Sequence, residues 1–281
     1  MLYLLAKRFV AGEDVRAVLE RAQALRGQGL LSTIDHLGEH IYDARQAQSV
    51  AKEYVDLLGQ MDRAGLDAHL SVKPTHLGLD ISQDEAYKNI RSVAAAASLA
   101  GHFVRLDMEG SSYTESTIAL CGRLREEFPD HVGVVIQAYL YRSHEDVEDC
   151  VMDKTRVRLC KGAYKEPISI AFRSKEDVNA NYDKLSEILM KHGSYPAFAT
   201  HDEMRIRNII TYARLHGKSP KDFEFQMLLG VRTSLARELA KSGYNVRIYL
   251  PYGKEWFSYF YRRIRERKEN FYFVLRNLLK E

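Results

Sequence analysis

Short apolar segments alternate with helical patterns along almost the whole chain, and no other feature limits the possible folds so strongly. Eight segments are predicted to be β-strands, because each is a short apolar run or alternates apolar with polar residues. They start about 22 to 40 residues apart, which is the length of one strand–helix unit. The pattern predicts an α/β fold: a closed (βα)8 barrel of parallel strands (TIM barrel), with an open doubly wound sheet as the alternative. The predicted strands are residues 32–37, 68–73, 103–107, 132–139, 156–161, 196–200, 223–229 and 246–250.

The composition agrees with a folded domain of this size. The chain has 281 residues, of which 46% are hydrophobic and only six are proline, so it is neither disordered nor collagen-like. Its longest run of low polarity, residues 93–100, is far shorter than the roughly 20 residues of a membrane-spanning helix. Near the start, basic residues follow an apolar stretch, the reverse of a secretory signal, and three cysteines without metal-like spacing suit reduced thiols. We therefore expect a cytoplasmic protein.

The residues ahead of the first strand are predicted to be helical. Residues 12–26 carry a helix-start signal followed by a helical pattern, and residues 2–9 indicate part of another helix. Gly27-Gln28-Gly29 lacks the third glycine of the dinucleotide-binding fingerprint and precedes a strand, so it is predicted to end a helix. We therefore divide the chain into an N-terminal helical segment, residues 1–30, and a barrel domain, residues 31–281.

Three helix starts carry a capping signature, in which a serine oxygen accepts hydrogen bonds from backbone N–H groups of the first turn. Each lies between two predicted strands, which supports the strand–helix alternation. The signatures are Ser82 with Glu85, Ser143 with Asp146, and Ser174 with Asp177.

Polar side chains are found towards the carboxyl ends of most predicted strands. In (βα)8 barrels the reactive groups gather at that face. Any one of these residues could be a solvated group or part of a structural ion pair, but a set spread over most strands indicates a functional site. The residues are Lys73, Asp107, Glu109, Gln137, Arg158, Lys161, Thr200, His201, Asp202, Glu224, Gln226 and Tyr249.

A charged helix is predicted after the last strand, over about residues 255–268. Tyr259, Arg262, Arg263 and Glu266 are spaced i, i+3, i+4 and i+7 and so share one face. Two guanidinium groups beside a carboxylate could hold a small zwitterion, with the arginines on its carboxylate. The alternative is a surface helix stabilised by i,i+4 ion pairs.

The basic residues are concentrated in one segment. Residues 262–268 carry five cations and one anion, so the rest of a chain whose formal net charge is +3 is close to neutral. A protein that binds nucleic acid normally spreads its basic residues over one whole face. We therefore expect no nucleic-acid partner.

Several common cofactor and metal motifs are absent from the sequence. There is no GxxxxGK[ST] loop and no GxSxG turn, and His36 with His40 lacks an HExxH context. His201-Asp202 is an isolated pair, so a catalytic metal is not expected. Any cofactor must therefore be held by residues of the barrel loops.

Seven motifs at successive strands resemble those of the proline dehydrogenase family, in order and over nearly the whole chain. The similarity is greatest to the short monofunctional bacterial branch, because 281 residues leave no room for the aldehyde dehydrogenase of the bifunctional branch. The motifs are Ser71-Val72-Lys73, Arg105-Leu106-Asp107-Met108-Glu109, Val135-Ile136-Gln137-Ala138-Tyr139, Arg158-Leu159-Cys160-Lys161-Gly162-Ala163-Tyr164, Ala199-Thr200-His201-Asp202, Phe223-Glu224-Phe225-Gln226, and Tyr249-Leu250-Pro251-Tyr252-Gly253 with Tyr259 and Arg262-Arg263.

The resemblance implies a distorted (βα)8 barrel whose last helix lies over the mouth, with FAD bound non-covalently. It implies oxidation of L-proline to Δ1-pyrroline-5-carboxylate, the first step of proline degradation to glutamate. A separate pyrroline-5-carboxylate/glutamate-semialdehyde dehydrogenase would take the product. A membrane quinone would accept the electrons.

The resemblance also implies roles for individual residues. Arg158, near the flavin N5, and Asp107, which organises the polar network with Glu266, are the catalytic pair. Lys73, Arg262 and Arg263 would hold the proline carboxylate, and Tyr249, Leu228 and Tyr259 would shape the substrate pocket. The other cofactor-binding residues would be Met108, Gln137, Lys161, Gly162, Ala163, Thr200, His201 and Gln226.

Two departures from the family pattern and two rival functions accompany this interpretation. The chain is short at its N-terminus, and Cys160 is found where the family often has valine. One rival function is that of another flavin barrel, of the methylenetetrahydrofolate reductase type. The other rival is a non-redox barrel that binds acidic ligands through residues 262–268. The electron acceptor, the oligomeric state and discrimination against hydroxyproline are left open.

The chain ends in a predicted amphipathic helix, in which Phe271, Val274, Leu275 and Leu278 repeat at i, i+3, i+4 and i+7. Its apolar face could pack against the barrel. Alternatively, beside the basic segment 262–268, it could contact an anionic membrane surface at the inner face of the membrane.

Overall fold

The computed structural model describes residues 8–257 and 259. Eight parallel strands close into a barrel in chain order, with the first strand paired to the last. The closed barrel is confirmed, and every predicted strand is present to within two residues at each end. The strands are β1 (Leu31–His36), β2 (Ala68–Val72), β3 (Val104–Leu106), β4 (Val132–Gln137), β5 (Arg156–Cys160), β6 (Ala197–Ala199), β7 (Glu224–Leu228) and β8 (Asn245–Tyr252).

Helices follow the strands along the outside of the barrel. Their buried faces carry aliphatic residues such as Val50, Leu57 and Ile90, which form one continuous core with outward-facing strand residues such as Leu70. Two short 3-10 turns, Thr75–Leu77 and Ser111–Tyr113, lie in the loops after β2 and β3. The helices are α1 (Val15–Arg26), α2 (Ala44–Arg63), α3 (Gln83–Leu99), α4 (Thr114–Glu127), α5 (Ser143–Met152), α6 (Lys175–His192), α7 (Glu203–Leu215) and α8 (Thr233–Lys241).

Helix α1 covers the wall of the barrel where β8 meets β1. It starts at Asp14, whose side chain accepts a 2.9 Å hydrogen bond from the N–H of Ala17, and Gly27 caps its end, as predicted. The chain just before it joins the end of β8, because the N–H of Ala11 donates to the carbonyl of Pro251 at 2.8 Å. The other predicted N-terminal helix lies mostly in residues 1–7, outside the described residues.

The chain after β8 turns at the carboxyl end of the barrel, and Trp256, Phe257 and Tyr259 are already helical. Tyr259 is buried against Val10 and Leu37, and Leu37 directly follows β1. The last barrel helix therefore starts beside the mouth. The rest of this predicted helix, with Arg262, Arg263 and Glu266, and the predicted amphipathic helix around residues 271–278 lie outside the described residues.

Two of the three predicted helix caps are confirmed and one is wrong. The hydroxyl oxygens of Ser82 and Ser174 accept hydrogen bonds from the N–H groups three residues later, at 3.1 and 2.9 Å. Ser143 is instead the first residue of α5 and donates its hydroxyl to the carbonyl of Leu140 at 2.6 Å. Asp146 forms an ion pair with Arg142, so a capping signature competes with other local partners.

The lumen of the barrel is polar, whereas branched apolar side chains usually fill it. Residues that pair in register on neighbouring strands point to the same side of the sheet, as Ser71 does with Arg105 and Gln226 with Arg247. The resulting lumen-facing set includes Thr33, Asp35, His69, Ser71, Arg105, Arg158, Glu224, Gln226, Arg247 and Tyr249.

This arrangement corrects the predicted positions of four strand-end residues. Arg158, Gln226 and Tyr249 lie within their strands, and Glu224 is the first residue of β7, at the opposite end from the mouth. The physical reason is strand alternation, which brings every second side chain of a closed barrel into the lumen. A polar residue can therefore reach the centre without standing in a loop.

Candidate active site

Asp107, Arg158 and Tyr249 meet inside the barrel, although they come from three different strand units. Nη1 of Arg158 donates to Oδ1 of Asp107 at 2.6 Å, and the hydroxyl of Tyr249 donates to Oδ2 of the same carboxylate at 2.7 Å. Burial, together with the charge of Asp107, raises the pKa of Tyr249 well above its ordinary value. Tyr249 is therefore a phenol donor at any physiological pH, and one carboxylate holds two donors in place.

Lys73 directly follows β2 and forms an ion pair with Asp35 of β1. Its ammonium nitrogen is 3.1 Å from each carboxylate oxygen, and Asp35 has no exposed surface. Burial alone would lower the pKa of Lys73, but the charges of Asp35 and Asp107 outweigh it and raise the pKa above its ordinary value. Lys73 is therefore a cation, and with two N–H groups engaged by Asp35 it keeps a third for another acceptor.

Glu109 joins the loops after β2, β3 and β4. Its carboxylate accepts hydrogen bonds from the N–H and hydroxyl of Thr75, at 3.1 and 2.6 Å, and its carbonyl accepts one from the side-chain amide of Gln137 at 2.8 Å. Burial raises the pKa of Glu109, and the bonds from Thr75 oppose that effect. Among the predicted residues, Gln137 is thus brought beside the loop after β3, and buried Met108 directly precedes Glu109 in the chain.

The loop after β5 carries three of the residues that the resemblance assigns to the cofactor. Lys161 donates to Asn179 at 2.6 Å and to Asp202 at 2.9 Å. Gly162 has a φ of +108°, and a Cβ atom there would lie 2.2 Å from the ring of Tyr139. Only glycine lets the backbone adopt this conformation and approach the ring so closely. Ala163 follows it and is exposed.

His201 and Thr200 lie in the loop between β6 and α7. Nε2 of His201 accepts a 2.9 Å hydrogen bond from the N–H of Leu228 at the end of β7. In its neutral form His201 therefore carries its proton on Nδ1. The hydroxyl oxygen of Thr200 accepts from the N–H of Asp202 at 3.1 Å, which shapes the start of α7.

Gln226 donates to Glu224 deeper in the lumen, and Arg247 forms an ion pair with the same carboxylate at 2.9 Å. Burial alone would raise the pKa of Glu224, but the Arg247 guanidinium outweighs it and lowers the pKa. This group is a charged layer beneath Arg158 and Asp107. We interpret the Glu224–Arg247 ion pair as structural support rather than as part of the substrate pocket.

Sequence reasoning missed three residues of this site. Asp35, Ser71 and Glu166 are, respectively, the partner of Lys73, a partner of Arg158, and the residue that ties down the loop after β5. Asp35 and Ser71 stand within predicted strands at every-second-residue positions, so strand alternation was the available signal. Glu166 stands in a loop, where no periodic pattern exists.

The residues present fit a flavin. Nε of Arg158 is buried and has no hydrogen-bond partner among the described residues. A buried guanidinium N–H without an acceptor is costly, and the oxygens and nitrogens of a flavin ring would satisfy it. Lys161 and Gly162 directly follow β5, the strand that carries Arg158, and so lie at the mouth of the barrel. Within residues 8–257 and 259, no group of three or more His, Cys, Asp or Glu is arranged to hold a metal ion.

Comparison with known proteins identifies the family. The family model for proline dehydrogenase matches residues 18–276. Proline dehydrogenase 1 of Bacillus subtilis subsp. natto is 40% identical over 276 residues, covering 98% of this chain and 91% of that protein. A proline dehydrogenase of Deinococcus radiodurans is 38% identical over 283 residues, covering 99% and 91%. The chain belongs to the proline dehydrogenase family.

Solved structures show the same barrel. Proline utilization A (PutA) of Bdellovibrio bacteriovorus, inactivated by N-propargylglycine, superposes with a TM-score of 0.88 at 28% identity over 93% of this chain. A PutA variant of Bradyrhizobium japonicum superposes over 92% of this chain with a TM-score of 0.78 at 22% identity, which supports the fold alone. The chain spans 32% and 30% of those two longer chains. No helix among the described residues is long and apolar enough to cross a membrane.

Proposed function

We propose that this protein is an FAD-dependent L-proline dehydrogenase that forms Δ1-pyrroline-5-carboxylate, the first step of proline degradation to glutamate. One observation carries the proposal: in a chain of the proline dehydrogenase family, the buried cation Arg158 is held by Asp107 with its Nε left open in a polar lumen. The family match argues against both a methylenetetrahydrofolate reductase and a non-redox barrel.

FAD, when bound, supplies the acceptor for a hydride that leaves the carbon beside the proline nitrogen. The residues proposed to hold it share positions in the lumen or in the loops at its carboxyl end. They are Met108, Gln137, Arg158, Lys161, Gly162, Ala163, Thr200, His201 and Gln226.

Arg158 is proposed to stabilise negative charge at the reaction centre. Arg158 as a residue is only 5% exposed, so its charge acts through a medium of lower polarity than water. Asp107 fixes one edge of the group and the Tyr249 hydroxyl shares the same carboxylate, so the carboxylate does not approach the reaction centre as a free anion. Preorganised charge of this kind needs no rearrangement when the hydride leaves.

Lys73 is proposed to bind the proline carboxylate through the N–H that Asp35 does not engage. Its raised pKa keeps it cationic over the pH range in which the proline amine is partly neutral. Arg262 and Arg263 are proposed to complete the carboxylate site, with Glu266, Tyr249, Leu228 and Tyr259 around the rest of the substrate.

Further proposals concern the partners. We propose a membrane quinone as electron acceptor and a separate dehydrogenase that oxidises the product further. The family's bifunctional members, such as the Escherichia coli protein named bifunctional PutA, are 26% identical over 97% of this chain, which supports a place beside a second enzyme. Peripheral contact of a cytoplasmic protein with the inner face of the membrane follows from the quinone proposal.

The test is anaerobic titration of the purified protein, supplied with FAD, with L-proline. We expect stoichiometric flavin binding, release of free FAD on acid denaturation, and bleaching of the flavin absorbance by L-proline but not by D-proline or L-alanine. A folded protein that binds no FAD, or whose flavin is not reduced by L-proline, would overturn the proposal.

A further inference from the structure

The guanidinium of Arg158 is held by two acceptors of opposite kinds. Nη1 donates to the charged carboxylate of Asp107 at 2.6 Å, and Nη2 donates to the neutral hydroxyl of Ser71 at 2.9 Å. Ser71 and Asp107 lie on or next to neighbouring strands and are 87 and 51 residues from Arg158 in the chain. The two bonds engage different nitrogens of a planar group, so together they fix both its position and the direction of its plane.

Ser71 is fully buried, with no exposed surface. Its hydroxyl lies 3.2 Å from the hydroxyl of Thr33. The Ser71 oxygen accepts from Arg158, and either hydroxyl of the Ser71–Thr33 pair can donate to the other. Ser71 is therefore the hydroxyl of this pair that contacts the guanidinium directly.

The chemical type of Ser71 matters as well as its position. A carboxylate at this place would hold the guanidinium equally well, but it would put a second negative charge beside a cation that Asp107 already balances. A hydroxyl holds it without adding charge. The pair of acceptors thus anchors Arg158 without a second anion and leaves its Nε available.

We propose that Ser71 is a positioning residue that fixes the plane of the Arg158 guanidinium, so that Nε faces the flavin and the positive charge acts on it. This inference rests on the proposed function, because it needs FAD in the barrel. Ser71 acts only through Arg158 and does not touch the reacting atoms.

The test compares the two-electron midpoint potential of bound FAD in the wild type, Ser71→Ala and Thr33→Val by equilibration with a reference dye. Ser71→Ala removes the acceptor of Nη2, so the cation is held less well and the reduced flavin is stabilised less. We expect a roughly tenfold lower ratio of reduced to oxidised flavin at equilibrium, which corresponds to about 30 mV. Thr33→Val removes the other hydroxyl of the pair but keeps the bond to Arg158, and we expect no shift.

Two further variants show whether Ser71 acts through Arg158. Ser71→Thr retains the hydroxyl and should restore the wild-type potential. In an Arg158→Met background, Ser71→Ala should change the potential no further, since the group that it positions is gone. If Ser71→Ala does not retain FAD, Ser71→Cys replaces it, because a thiol accepts hydrogen bonds only weakly and the same shift is expected.

The outcomes separate this inference from the proposed function. Equal potentials in wild type and Ser71→Ala, or an equal shift in Thr33→Val, would overturn the role of Ser71 and leave the proposed function untouched. A wild-type protein that binds no FAD would overturn both. A Ser71→Ala shift that persists in the Arg158→Met background would show that Ser71 does not act through the arginine.

Discussion

Asp35 and Lys73 form a buried ion pair in which both carboxylate oxygens lie 3.1 Å from the ammonium nitrogen. The two residues come from neighbouring strand units and both point into the lumen. The pair supplies a fixed cation for the substrate carboxylate without leaving a buried charge uncompensated. The resemblance assigns no role to Asp35, but the geometry shows that Asp35 holds Lys73 in place.

Asp35→Asn should destabilise the fold by about 3 to 5 kcal/mol, because it leaves the buried Lys73 ammonium without its directly paired carboxylate. Chemical denaturation of the variant measures this loss. The double variant Asp35→Asn/Lys73→Met should recover most of it, since neither charge is then buried. A single variant as stable as the wild type would contradict the assignment of a strong buried pair.

Tyr249→Phe should slow flavin reduction by about tenfold while FAD binding is retained. The change deletes the 2.7 Å hydrogen bond to Asp107, and a hydrogen bond to a charged group is worth about 1.5 to 3 kcal/mol. Stopped-flow reduction with L-proline measures the rate. Tyr252→Phe is the matched control on the same strand: Tyr252 is buried against His36, and we expect the wild-type rate.

Glu166→Gln should weaken FAD binding by about tenfold. The Glu166 carboxylate accepts hydrogen bonds from the N–H and hydroxyl of Ser111, at 2.7 and 2.6 Å, and from Tyr139 at 3.3 Å. It thereby ties the loop that carries Lys161 and Gly162 to the loops after β3 and β4. Fluorescence titration of the FAD-free protein gives the dissociation constant. Glu176→Gln, at an exposed position of α6, should leave the dissociation constant unchanged. An equal effect of both changes would argue against a role of the Glu166 hydrogen bonds in FAD binding.

The stability of the fold should decrease as the pH falls from about 6.5 towards 3, in part because of His76. Burial, helped by the nearby His36 and Lys73, lowers the pKa of His76 from 6.5 to about 3. In this window the unfolded chain binds a proton that the folded chain does not, so stability rises with pH and is complete above about pH 6.5. The contribution is up to about 5 kcal/mol.

Denaturation of wild type and His76→Gln at a series of pH values isolates this contribution. The difference in unfolding free energy between the two should change across the window from 6.5 to 3 and stay constant above it. His192→Gln, at the exposed end of α6, is the control and should run parallel to the wild type. A His76→Gln curve parallel to the wild type would show that His76 is not buried in the neutral form.

Arg263→Ala should raise the KM for proline far more than it changes the FAD content. Loss of a charge-assisted bidentate contact in a closed site costs about 2 to 5 kcal/mol. Arg263→Lys should also bind proline poorly, because an ammonium cannot reproduce the planar fork. An unchanged KM in Arg263→Ala would remove this residue from the carboxylate site.

The positions of the strands could be predicted from the sequence because the signal is local. Each strand is a short apolar or alternating run, and each helix start depends on side chains within three or four residues. The same locality explains the failure at Ser143, where Leu140 and Arg142 offered competing partners that a capping signature does not record. The resemblance placed Asp107, Arg158 and Tyr249 in one site by motif, without saying what each contacts.

By itself, the sequence determined the order of strands and helices, the α/β class, with a closed barrel favoured over an open sheet, and the motifs of the family. Only the tertiary structure decided that Arg158 is shared between Asp107 and Ser71, 51 and 87 residues away, and that Tyr249 reaches Asp107 across 142 residues. The reason is that closure of the barrel sets which inward side chains face one another. The separation of two residues along the chain does not show whether closure brings them together. The apolar pattern of a strand, in contrast, is contained in a few consecutive residues.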